Sequence, residues 1–205
     1  MNRIQNIDAT LLFVIPTLLF VFCVSSCDDT QLAKDICGAW EGNFSMSYSD
    51  QSKDNHTESL IFEKKGDKDG GTFIERQHIV SKNNELDYAT CDYVLDTEIS
   101  GTWEIIFGDI EMKYNVSSLS VEIEPRSLLI HRKTFDDAFD NIVNDAFRIS
   151  DEYQLIKDAI QKDRYSELFK SYQYDGEGIV FSNVKIQGSK MTFEDDERTW
   201  TYHRK

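Results

Sequence analysis

From Gly38 onward apolar side chains recur at every second position, and this period of two constrains the fold more than any other feature of the chain. In Gly38–Tyr48, Trp40, Gly42, Phe44, Met46 and Tyr48 share one face, while Glu41, Asn43, Ser45 and Ser47 share the other. Such alternation belongs to strands with one face in a core and one in water. Further strands are expected at Glu58–Lys64, Thr72–Val80, Leu86–Leu95, Ile99–Phe107 and Ile110–Glu124, and again at Gly178–Gln187, Lys190–Phe193 and Arg198–Arg204. In the fifth of these, Ile99, Gly101, Trp103, Ile105 and Phe107 fall on one face. Turn signals separate them: the polar Asp50–His56, Gly66–Gly71, Ser81–Glu85, Gly108-Asp109, Gly188-Ser189 and Glu194–Glu197. About eight or nine antiparallel strands in hairpin order tend to close on themselves, which removes their edges.

The period changes between Thr134 and about Tyr172, where a helical insertion (134–173) is expected. Phe135, Phe139, Ile142, Val143, Ala146 and Phe147 repeat at three and four, with Thr134 as a plausible N-cap. Leu155, Ile156, Ala159 and Ile160 make a second stripe, and Tyr165, Leu168, Phe169 and Tyr172 a third. Ser150 and Lys162-Asp163-Arg164 are the expected breaks.

The chain carries 37 acidic and 22 basic residues, a formal charge of −15. Phosphate binding needs a basic surface, so nucleic acid is not an expected partner. An anionic bilayer would repel the domain as well, so any attachment to a membrane must come from something other than charge.

The N-terminus offers such an attachment. Arg3 is a weakly positive start, and Leu11–Val24 is an apolar run broken by Pro16 and Thr17. It is shorter than the roughly 20 residues a spanning helix needs and fits the apolar region of an export signal. Val24-Ser25-Ser26-Cys27 follows. An aliphatic residue, two small residues and a Cys resemble the lipobox of bacterial lipoproteins. The resemblance implies that residues 1–26 are a signal peptide, and that Cys27 receives acyl chains and becomes the membrane anchor. Residues 27–36 then read as the lipidated Cys and a polar tether, and 37–205 as the domain. Location in the bacterial cell envelope follows; Asp28-Asp29 resembles both a surface-export signal and an inner-membrane retention signal, and of the two the outer membrane, with its outer face, is the expected site. Of four cysteines, Cys37 and Cys91 remain in the domain; they could pair, or stay as buried thiols in separate strands.

Gly38-Ala39-Trp40 at the start of the first strand resembles the Gly-X-Trp motif of lipocalins, and it recurs as Gly101-Thr102-Trp103. The stretch Gly101–Ile123 looks like the middle hairpin of bacterial lipocalin-like lipoprotein domains, and Lys190–Lys205 like their closing hairpin. The resemblance implies a mainly β, antiparallel up-and-down barrel. It also implies that Trp40 packs at the closed end under an arginine of the last strand, with Arg204 the first candidate and Arg198 the second.

No catalytic residue is expected. His56, His78, His131 and His203 are scattered, and no serine or cysteine sits in a nucleophile elbow. Asp67, Asp69 and Gly70 hint at a calcium loop but lack its remaining ligands, so a solvated turn is the simpler reading. Glu104 and Glu122 lie on polar faces as ordinary outward residues. No metal or cofactor is expected. The aromatic set Trp40, Phe44, Trp103, Phe107 and Tyr114 either fills the barrel or lines a cavity. Two functions follow: a tethered barrel holding a small apolar or amphipathic ligand through Phe44, Trp103, Phe107 and Tyr114, or a solid barrel whose insert or loops dock an envelope protein. An exposed apolar patch on the helices would favour the second. An enzyme is the least expected reading, and convergent perturbed carboxylates in a cleft would favour it.

Overall fold

The period of two is realised as one antiparallel sheet of ten strands. In the computed structural model the described residues are 29–49, 52–86, 89–133, 139–141, 150–174, 178–195 and 198–205. The strands are β1 (Gly38–Ser47), β2 (Lys53–Lys64), β3 (Gly70–Leu86), β4 (Ala89–Ile106), β5 (Asp109–Ile123), β6 (Leu129–Lys133), β7 (Phe139–Asn141), β8 (Ile179–Gln187), β9 (Lys190–Asp195) and β10 (Arg198–Arg204). A short helix α1 spans residues 29–35, and α2 spans Asp151–Tyr174.

Eight strands close into an up-and-down barrel in the order β1-β2-β3-β4-β5-β8-β9-β10, with β10 returning antiparallel to β1. This is the expected lipocalin-like architecture. β6 and β7 are additions that pair off the first residues of β4, from Ala89 to Asp92. β5 bonds to β8 only through Ile110–Met112. Past that contact α2 packs along β5, and Gln161 accepts a bond from the backbone N–H of Ile123 at 3.5 Å.

The strands run longer than the polarity of the sequence implied. Lys53–His56, expected in a turn, belongs to β2, and Ser81–Leu86 continues β3 through an irregularity at Ser81/Asn84. The expected fourth and fifth strands are one continuous β4.

The closed end is built around Trp40, which is fully buried. Its Nε1–H donates to the Ile36 carbonyl at 2.7 Å, and the Arg204 guanidinium lies 4.5 Å from its ring centroid. Trp40 and Arg204 face each other in the β1–β10 register, and Arg204 donates to the Asp35 carbonyl at 2.6 Å. Gly38 precedes this site with φ at +120°, a conformation that side-chain-bearing residues rarely adopt. Residues 29–35, expected in a tether, instead form α1. Ala33 and Ile36 bury completely against the barrel floor, and Thr30 donates to Asp69 at 3.0 Å. Asp69, in the turn before β3, thus fastens α1. Cys27 and the expected signal peptide lie outside the described residues.

The helical insertion needs two corrections. Phe139–Asn141, expected in a helix from Thr134, is a strand paired to β6. The rest of that first stripe, Thr134 included, lies outside the described residues. The second is that α2 runs unbroken through Lys162-Asp163-Arg164. Ser150 is its cap: Tyr153 N–H donates to Ser150 Oγ at 3.2 Å. Tyr153, Ile156, Ile160, Leu168, Phe169 and Tyr172 pack toward the barrel, whereas Leu155 stands 70% exposed.

Truncating Trp40 removes a buried ring and the acceptor-bound N–H that holds α1. Trp40→Ala should lose about 3–5 kcal/mol of unfolding free energy in urea titrations, in the range of other buried aromatic truncations; a change within about 0.5 kcal/mol would mean the floor does not depend on it.

Candidate functional site

The barrel is not filled to its top. A cavity of about 370 Å³ opens above the Trp40 floor, under α2. One wall is apolar, with Phe44, Met46, Ile79, Leu95, Phe181 and Trp200. Beside these the lining is polar and comes from the inward phase of β2 and β3: Asp54, His56 and Glu58 on the first, Glu75 and Gln77 on the second. Leu60 and Phe62 continue the same face of β2 toward the floor, and Phe73 and Ile79 flank the polar pair on β3. The polar band is therefore in phase with the core, in the middle of strands.

Glu58 and Glu75 form its centre. Tyr202 OH donates to Glu58 Oε1 at 2.6 Å; Tyr114 and Tyr172 donate to the two oxygens of Glu75, each at 2.7 Å. Gln77 Nε2 bridges the pair, 2.7 Å from Glu75 and 3.2 Å from Glu58. Tyr202 reaches Glu58 because its ring lies on Gly42, the β1 residue paired with Glu58; a Cβ at Gly42 would come within 2.9 Å of that ring. Burial, and then the charge of Glu75, raise the Glu58 carboxyl to about 8. Burial also raises the Tyr114 and Tyr202 hydroxyls, each further opposed by its carboxylate neighbour.

Gln77 spends its amide N–H groups on the carboxylates, so its Oε1 faces His56 Nδ1 at 3.3 Å. That nitrogen carries the ring proton, and Nε2 keeps its lone pair. His56 is 9% exposed, burial lowers its pKa, and Nε2 has no hydrogen-bond partner among the described residues. Its ring stacks on Phe44 at 4.5 Å, and Trp200 meets Phe44 edge-on at 5.0 Å.

α2 closes over this space with two polar contacts. Arg164 pairs with Asp54 at 2.6 Å, and Tyr172 reaches down to Glu75. Asp54 is buried and also accepts from Ser81 and, at 3.2 Å, from Tyr48.

Of the four residues expected at a ligand site, Phe44 and Tyr114 line this cavity. Trp103 does not: it is buried in the floor cluster, where its Nε1–H donates to the Thr72 carbonyl at 3.0 Å. Phe107 is a correction of another kind. Phe107 and Gly108, both at positive φ, form the two-residue β4–β5 turn, which tips the Phe107 side chain out to 78% exposure. The carboxylates weighed in the sequence, Glu104 and Glu122, face outward. The pair that does converge is Glu58 and Glu75, of which Glu58 shares the inward phase of Leu60 and Phe62, and Glu75 that of Phe73. Cys37 and Cys91 are unbonded and sit in separate clusters; Cys37 donates to the Ala33 carbonyl at 3.1 Å, and burial pushes Cys91 to about 12.

A carboxyl raised on folding binds a proton that the unfolded chain has released, so its contribution to stability falls as pH rises through the folded value. Between pH 6.5 and 8 unfolding free energy should fall by about 1 kcal/mol per unit from this source. Glu58→Gln should flatten that slope in chemical-denaturation series; an unchanged slope would mean Glu58 is not the group responsible. Comparison with protein-family models and with curated proteins finds no match to this chain.

Proposed function

We propose that this chain is a membrane-anchored lipocalin-like carrier that binds a small amphipathic ligand inside its barrel. One observation carries the reading: a cavity of about 370 Å³ whose lining joins apolar side chains to a polar band, at the lower end of the range of small-molecule sites. A ligand with one apolar and one polar part matches that division; a purely apolar ligand would leave the polar band desolvated and unanswered. Phe44 and Tyr114 contribute to the two sides, Phe44 as wall and Tyr114 as a donor to Glu75.

In this reading the barrel is a binder and not an enzyme. The Glu58–Glu75 pair is the kind of feature that would favour an enzyme, but its oxygens already accept from three tyrosines and Gln77, an arrangement that holds the pair as a fixed network. The alternative, a solid barrel that docks an envelope protein, has less support. Leu155 and Tyr165 are the large apolar side chains exposed on α2, and they stand ten residues apart, about 15 Å along the axis, not as one patch. Attachment through acyl chains on Cys27, in the bacterial envelope and at the outer membrane, belongs to the same proposal and rests on the Val24–Cys27 pattern.

Native mass spectrometry of the protein taken gently from its host's membranes should show a discrete mass beyond the anchor lipid, lost on denaturation. Only the bare lipidated mass would move the reading to the docking protein. For the anchor, metabolic labelling with a fatty-acid analogue should tag the parent chain and not Cys27→Ser; label retained by the variant would end the lipoprotein reading.

A further inference from the structure

The polar band of the cavity is rich in acceptors, and the tyrosine and Gln77 donors beside them are spent. Tyr202, Tyr114 and Tyr172 point their hydroxyl protons at the carboxylates, and Gln77 spends its amide protons there too. His56 adds a bare ring nitrogen, in a side chain 9% exposed, with no hydrogen-bond partner among the described residues. The cation of the lid, Arg164, is committed to Asp54 and Glu167, away from the pair. A ligand that brings hydrogen-bond donors gains most at this band, and donors on a positive charge answer a carboxyl pair best.

We propose that the cavity takes a small amphiphile headed by a protonated amine, whose N–H groups are received by Glu58, Glu75 and His56 Nε2 and whose apolar body lies against the Phe44–Trp200 wall. This rests on the carrier reading and narrows it to a ligand class. It also couples binding to protons. The empty site keeps a proton on Glu58 near neutral pH; an incoming ammonium replaces that proton's charge and releases it to solvent, one per ligand. The groups facing Glu58 are Glu75 on β3, Tyr202 on β10 and His56 on β2, with Asp195 of β9, Tyr114 of β5, and Tyr172 and Arg164 of α2 lining the same space. Burial lowers His56 and raises Tyr114 and Tyr202, so each is moved toward its neutral form.

Calorimetric titration of the whole chain with phenethylamine, 2-phenylethanol and 3-phenylpropionate tests this, because the three share a ring and differ in the head group. The amine should bind at least tenfold more tightly than the alcohol, and the carboxylate more weakly than either. Amine affinity should climb from pH 6.5 to 8.5, with proton release visible as a dependence of the heat on buffer ionisation. Glu58→Gln should lose at least tenfold for the amine and flatten its pH profile while leaving the alcohol within about twofold, which also shows that the variant cavity is intact. Should that variant fail to fold, His56→Phe, which fills the stacked position and removes the acceptor, should weaken the amine selectively. Alcohol or carboxylate binding as tightly as the amine would overturn the amine assignment and leave the carrier reading standing. No binding of any of the three probes would overturn the amine assignment, and a bare mass in the native spectrum would then remove the carrier reading separately.

Discussion

The structure depends on how two buried carboxyl groups are held inside an apolar barrel. A carboxylate moved out of water costs several kcal/mol unless donors replace its hydration. Here those donors come from β3, β5, β10 and α2, through Gln77, Tyr114, Tyr202 and Tyr172. Each such bond to a charged group contributes about 1.5–3 kcal/mol, so several together offset a penalty that none could meet alone. The requirement explains features that otherwise look unrelated. Gly42 is bare because Tyr202 must lie across it to reach Glu58. α2 is drawn to the barrel by its polar contacts as well as by its apolar stripe, because Tyr172 and Arg164 have buried partners to meet.

A second constraint sits at the opposite end. Trp40, Arg204 and the carbonyls of Asp35 and Ile36 lock the first strand, the last strand and α1 together. With the floor fixed there by aromatic packing, the upper barrel can hold a polar band without collapsing. The two clusters of buried apolar residues lie on either side of that band, one toward the floor and one under α2.

The barrel itself was legible in the sequence wherever alternation had polar residues outside and apolar ones inside. Gly38, Trp40 and Arg204 were legible as well, because a short motif carries a conformational need and a stacking partner. The site was not, and the reason is physical. A polar cavity puts Asp54, His56 and Glu58 on the inward phase, so that a stretch of strand carries polar residues on both faces and imitates a turn. Extending the phase of Leu60 and Phe62 backwards would have found them. Phe107 erred the other way: its spacing matched Trp103 and Ile105, but the adjacent Gly108 took it into a turn. In the insertion, Phe139 fits a helical stripe from Thr134, yet the free edge of β6 binds that segment as a strand. Ser150 was a break in the periodic pattern because it is a cap, with acidic Asp151 and Glu152 following in the favourable first turn.

α1 has a bearing on geometry at the scale of the envelope. Its first described residue is Asp29, two positions after Cys27, and the helix is packed onto the floor of the barrel. Two residues reach about 7 Å at most. With lipid on Cys27 as proposed, the protein would stand upright on the bilayer like a stubby post, base down, without a leash on which to swing. A twelve-residue strand such as β2, tilted as barrel strands are, sets the cavity mouth roughly 30 Å above that base. A cargo would then be exchanged with the aqueous compartment above the membrane, and a lipid still embedded in the underlying leaflet would be out of reach.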